Sequence, residues 1–188
     1  MKDILPIGLK LFLICAVAAV TLGGVNVVTA PIIAERKVQE MRQALEELTP
    51  HAQLGEVVPV EGNPVVSARY DVLEGGKPVG MLLQLTGSGY GGDLKILARY
   101  QLDGAIVAVE LLEDSETPGL GKKAESPSYM EKFVGTGSPE KPVPVRKDML
   151  SAQQADAVTG ATITFMGISK ALADGAAYVR QTAGTQKE

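Results

Sequence analysis

The stretch "LKILARYQLDGAIVAVELL", residues 94–112, decides the fold, because two apolar-rich runs meet there at Asp103-Gly104. Asp-Gly supplies the positive-φ backbone that a tight hairpin turn requires, so the stretch reads as two antiparallel strands. Just upstream, "VVSARYDVLEGGKPVGMLLQLTG", residues 65–87, repeats the arrangement around Gly75-Gly76. Strands joined by hairpins build an antiparallel sheet, whose apolar face needs a cover. Phe165, Ile168, Leu172, Ala176 and Val179 recur at helical intervals and predict a terminal helix of about 17 residues that supplies it. The expected fold class is α+β: an antiparallel sheet with flanking helices. Ser126-Pro127 reads as an N-cap and first-turn proline of a short helix reaching Val134 and stopped by Gly135. Residues 136–147, rich in proline, read as a loop with a short extended piece, and "GTQKE" at the end as a frayed tail.

Outward from the sheet, toward the amino terminus, residues 11–34 carry no charged side chain. As a helix they would cover about 36 Å against a hydrocarbon core of about 30 Å, so they predict one transmembrane helix. A cleaved secretory signal is the rival reading, since Lys2 and Lys10 precede the apolar run and Val28-Thr29-Ala30 has small residues at the right places. Pro31 directly after Ala30 opposes cleavage, and Ile14 before Cys15 is a poor lipoprotein signal. Arg36, Lys37 and Arg42 beyond the span nearly balance the two lysines before it, but a short amino terminus most naturally stays cytoplasmic, leaving residues 35–188 on the outer side of an inner membrane. Gly23, Gly24 and Asn26 suit contact with a neighbouring transmembrane helix. Val38, Met41, Leu45 and Leu48 mark an amphipathic stalk helix that Pro50 ends. The expected organisation is therefore a membrane segment at 1–34, a stalk at 35–50 and one domain at 51–188.

A net charge of −4, from 18 basic and 22 acidic residues, offers no cationic surface for nucleic acid. One cysteine, Cys15, and one histidine, His51, cannot build a disulfide, an iron–sulfur cluster or a zinc site, so no metal is expected and any redox chemistry must be organic.

Three glycine-bearing stretches remain. "GSGYGG", residues 87–92, matches a dinucleotide-binding fingerprint letter for letter, but a strand follows it where that fingerprint needs a helix, so it reads as a tight connection. "SETPGLGKK", residues 115–123, follows a strand, and its glycines permit close approach of a flat ring. "DAVTGATIT", residues 156–164, places Thr162 just before the terminal helix, where free backbone N–H groups and the helix dipole favour a phosphate. Gly160 and Ala161 leave that approach open, while the plainer reading makes Thr162 or Thr164 a helix cap.

Taken together these stretches resemble the FMN-binding domain of the G-type subunit of Rnf ion-translocating oxidoreductases, which is similar to the C-type subunit of sodium-translocating NADH:quinone oxidoreductase. Asp156, Thr159, Gly160, Ala161 and Thr162 match the family's flavinylation pattern, Glu116 to Gly121 its E-T-P-G-L-G signature, and Gly89, Tyr90, Gly91 and Gly92 its Gly-Tyr-x-Gly turn. The resemblance implies FMN joined through a phosphoester to Thr162, with Glu116, Thr117, Pro118, Gly119, Leu120, Gly121, Thr159, Gly160 and Ala161 contacting the cofactor. It implies that Asp156 helps a flavin transferase recognise the site, and that the chain carries electrons inside a complex that couples ferredoxin/NAD redox chemistry to Na⁺ or H⁺ movement by partner subunits. Asp114 stands where family members often carry histidine, so a role for that histidine does not transfer. A membrane-anchored FMN-binding regulator and an anchor without cofactor are the readings from other classes.

Overall fold

Both glycine turns form. In the computed structural model, which describes residues 4–119 and 121–185, strands β1 (Gln53–Leu54), β2 (Val58–Pro59), β3 (Val66–Glu74), β4 (Lys77–Ser88), β5 (Asp93–Gln101) and β6 (Ile106–Glu113) make one sheet. All pairings are antiparallel, in the order β1-β3-β4-β5-β6, with β2 also on β3. Gly75 and Gly76, at φ 58° and 78°, turn β3 into β4 in two residues, as that loop length demands. At the next hairpin Asp103 Oδ1 accepts the Ala105 N–H at 2.9 Å and Gly104 takes φ 90°. Irregular register in β3–β4 and β5–β6 adds local twist.

Side chains alternate across the sheet, which is therefore covered on both faces. Met81, Leu83 and Leu85 of β4 share a fully buried face with Leu94, Ile96, Ala98 and Tyr100 of β5. Against it packs the terminal helix, and all five residues of its expected stripe, from Phe165 to Val179, are buried. The Tyr100 hydroxyl donates to the Leu172 carbonyl at 3.0 Å; burial, then Asp174, holds this phenol well above its ordinary pKa. Contact is closest where helix meets strand through glycine alone. A Cβ on Gly167 would run into the Ser88 carbonyl oxygen, and one on Gly87 would come within 2.9 Å of the Gly167 carbonyl oxygen. On the other face Leu82 and Leu97 are fully buried, and Arg99 Nη1 donates to the Leu48 carbonyl at 3.4 Å, so Ala44, Leu48 and Thr49 are buried too.

Helix α1 (Ile4–Leu48) runs unbroken through both the expected span and the expected stalk, with Pro31 inside it. It is long and apolar enough to cross a membrane, and Phe12, Val20, Leu22 and Val28 stand exposed along it. The chain divides into two compact units between Arg42 and Gln43.

The segment after β6 departs from expectation. In place of one helix from Ser126 to Val134, a 3-10 helix spans Gly121–Glu125, α2 spans only Pro127–Met130, and a second 3-10 turn spans Glu131–Phe133. As expected, α2 begins at Pro127 directly after Ser126, whose hydroxyl donates back to the Lys123 carbonyl at 3.0 Å. Phe133, stacked on Phe165 with centroids 5.6 Å apart, holds the tightened turn on the core. Gly135 does stop the run, at φ 74°. Further on, α3 (Ala152–Ala157) was not expected; Ser151 caps it in a box with Gln154. Helix α4 (Thr162–Thr185) has 24 residues, so Thr162 is its first residue and part of the expected frayed tail is helical, while residues 186–188 lie outside the described residues.

Candidate functional site

Antiparallel order puts the end of β4, the start of β5 and the end of β6 at one end of the sheet, and α4 begins there as well, since Gly167 lies on Ser88. The three glycine-bearing stretches therefore gather at a single end.

The first is the turn 89–92, closed by the Gly89 N–H donating to the Gly92 carbonyl at 2.8 Å. As expected it joins strand to strand, and Tyr90 stands 74% exposed at its tip. The second is the loop after β6. Glu116 is buried within it at 5% exposed, and its Oε1 accepts the N–H of Tyr90 at 2.7 Å and of Gly91 at 3.4 Å. Asp114 Oδ1 accepts the Glu116 N–H at 2.8 Å and lies 4.0 Å from Lys122 Nζ. The Glu125 hydrogen bond, then Asp114, raises the pKa of Lys122. Thr117, Pro118 and Gly119 are exposed, with Gly119 at φ 81° and open space where a Cβ would stand. Leu120 lies outside the described residues. Gly121 is buried at the head of the 3-10 helix, which packs against α4.

The third stretch runs from α3 into α4. Asp156 is exposed on α3, and its carbonyl accepts the Thr159 N–H at 3.0 Å. Gly160 takes φ 84°, a conformation that side chains disfavour, to redirect the chain, and buried Ala161 begins α4 by accepting the Phe165 N–H at 2.9 Å. Hydroxyls nearby bond back one turn, as Thr159 in the turn before α4 does to the Ala155 carbonyl at 3.1 Å and Ser169 within α4 to Phe165 at 2.6 Å. Thr162, half-buried, makes no hydrogen bond from its hydroxyl to another described residue. A groove of 790 Å³ runs between α4 and the Gly87–Ser88 end of β4, with half-exposed Ile163 and Met166 in its wall, and its lining includes none of the expected cofactor residues.

Two cations that sequence reasoning missed converge on this stretch. Lys123 Nζ lies 3.4 Å from the Thr159 carbonyl and Lys147 Nζ 2.8 Å from the Thr159 hydroxyl. Lys123 trails the second signature, so a faint local signal existed; Lys147 comes from a separate 3-10 turn and had none. Tyr129 is a further surprise. Its hydroxyl is buried without a hydrogen-bond partner among the described residues, and burial, then Glu116, holds its pKa well above the ordinary value.

These features fit a phosphate-bearing group: a Thr162 hydroxyl that bonds to no other described residue, the N–H groups of the first turn of α4 and two nearby ammonium groups. No cluster of metal-ligating side chains occurs among the described residues.

Comparison with known proteins agrees. Residues 89–177 match the FMN-binding domain. The chain is 34% identical to the G-type subunit of the Na(+)-translocating ferredoxin:NAD(+) oxidoreductase complex of Acetobacterium woodii, covering 93% of this chain and 88% of that protein. It is 25% identical to the G-type subunit of the proton-translocating ferredoxin:NAD(+) oxidoreductase complex of Clostridium ljungdahlii, over 97% and 95%. With the corresponding subunit of the ion-translocating oxidoreductase complex of Methanosarcina acetivorans it shares 29% identity over 97% and 98%. With its FMN-binding domain and more than nine-tenths of its length matched, the chain belongs to the family of G-type subunits of Rnf ion-translocating oxidoreductase complexes.

Proposed function

We propose that this chain is an electron-carrying subunit of an Rnf-type complex, holding FMN through a phosphoester to Thr162 and having no complete activity alone. The observation that carries the reading is the uncommitted Thr162 hydroxyl at the start of α4, with Lys123 and Lys147 on the adjacent Thr159. Bound FMN supplies one- and two-electron transfer.

The chain's own residues do the rest. First-turn N–H groups of α4 and the two lysines balance phosphate charge, and Gly160 keeps side chains out of the approach. Thr117 to Gly121 border the ring, and exposed Asp156 is available to a flavin transferase. The apolar helix α1 anchors the chain in the inner membrane, amino terminus inside, with residues 35–50 as a stalk and 51–188 as the FMN domain outside. With one candidate span among the described residues, Na⁺ or H⁺ movement, and exchange with ferredoxin and NAD, fall in this reading to other subunits of the complex. Subunits of a Na(+)-translocating and of a proton-translocating complex are both similar to it, so the likeness fits either coupling ion.

The test is the full chain coexpressed with a flavin transferase and viewed by ultraviolet fluorescence on a denaturing gel beside Thr162→Val. A fluorescent band in the wild type that disappears in the variant is expected. A dark wild-type band, with the transferase active on a control substrate, refutes the covalent link.

A further inference from the structure

Carboxylates are almost never buried unless paired, and what pairs Glu116 is backbone. One oxygen is taken by the N–H groups of Tyr90 and Gly91, and the residue's own N–H is fixed by Asp114. Around the carboxylate the chain has removed side chains. A Cβ at position 89 would fall on Oε1, one at 121 on Oε2, and one at 91 on the Ser115 carbonyl oxygen. Gly92 and Gly119 answer to positive φ, at 150° and 81°, but Gly89, Gly91 and Gly121 are absent from the positive-φ glycines. Their requirement is space, and what fills the space at 89 and 121 is this one carboxylate.

We infer that Glu116 is a positioning residue: its carboxylate clasps the Gly89–Gly92 turn beneath the Thr117–Gly119 loop, and so holds that exposed loop in place beside the start of α4. The two glycine signatures are then halves of one lock, and Glu116 acts on a bound ring through the loop it fastens. One oxygen is committed to the two amides, while the other stands where a Cβ on residue 121 would be and takes no hydrogen bond from another described residue. The functional half of this inference rests on the FMN reading; the clasp itself does not.

The experiment uses the detergent-solubilised full chain, with and without coexpressed flavin transferase, and reads two quantities. Amide hydrogen exchange at Tyr90 and Gly91 reports the clasp, and visible circular dichroism of the loaded protein reports the ring's surroundings. In Glu116→Ala, exchange is expected to accelerate about ten- to a hundredfold, the loss of a charge-assisted hydrogen bond, and the visible bands to change while the fluorescent gel band persists. Glu116→Gln keeps an acceptor oxygen and should recover most of the protection and the wild-type bands. Gly89→Ala displaces the carboxylate without removing it, and should reproduce both changes if Glu116→Ala does not accumulate. Its effect should shrink in a Glu116→Ala background where that variant folds, since coupled residues are not additive.

Unchanged protection at Tyr90 and Gly91 in both Glu116→Ala and Gly89→Ala overturns the clasp. Faster exchange with unchanged visible bands overturns the positioning role. A wild type that takes up no flavin sinks the FMN reading separately, and exchange on that protein still decides the clasp.

Discussion

Gly167→Ala tests whether the glycine contact between α4 and β4 sets how deeply the helix sits. Alanine is about 1 kcal/mol better than glycine in a helix interior, so without a clash the variant would be the more stable protein. Its Cβ, however, would land on the Ser88 carbonyl oxygen, a backbone atom that is itself part of the β4–β5 hairpin and cannot swing aside. Overpacking costs about 1–3 kcal/mol, and a rigid neighbour places this site at the upper end. Net destabilisation is then about 2 kcal/mol, which at a urea slope of about 2 kcal/mol/M lowers the midpoint by about 1 M. Pulse proteolysis of the full chain in detergent across a urea series measures it. Gly184→Ala in the same helix has nothing within 4 Å of the new Cβ and serves as control, holding or slightly raising the midpoint. If Gly167→Ala unfolds at or above the wild-type midpoint, the contact is not a close one and the argument fails.

Two more outcomes follow from groups already placed. Burial, then Glu47, raises Glu110 above its usual 4.5, so the folded chain binds this proton more tightly and stability falls as pH climbs from about 4.5 through the folded value. Glu110→Gln should raise the urea midpoint at pH 7 and match the wild type at pH 4; equal midpoints at both pH values would refute the strained charge. Ser151→Ala removes the cap of α3 at a cost of about 1 kcal/mol. It should speed exchange of the α3 amides alone, and protection as in the wild type would show that the box is idle.

The hairpins were legible because their information is local: Gly75-Gly76 and Asp103-Gly104 state the turn, and the turn states the pairing. The α4 stripe was equally plain, though periodicity from Phe165 onward could not reveal that the helix starts at Thr162, where Ala161 accepts the first bond. Ser126-Pro127 marked the start of α2, but not that the run would tighten into a 3-10 turn after Met130, where Phe133 packs on Phe165 from a distant part of the chain. The capping box at Ser151 and Gln154 was readable but short, with no apolar stripe to draw attention to it.

At the site, Thr162 and the loops were found by motif, but how they are held was not. Glu116 meets Tyr90 across 26 positions of chain and Lys123 meets Thr159 across 36, and sequence spacing carries no record of such meetings. For Glu116 this left the letter visible and its surroundings hidden.

The open side of the sheet also bears on how the protein survives before assembly. β6 is an edge strand, and an unguarded edge is a template on which a second copy can add a strand. Here the chain seals one end itself: Ile106 donates to the Thr136 carbonyl at 2.7 Å and accepts from Gly135 at 2.8 Å. Farther along, Glu110 puts a carboxylate on the remaining stretch, so two copies meeting edge to edge would bring like charges together. The strand is self-avoiding, and a newly made chain is steered away from fibrils of its own kind while it waits for different neighbours.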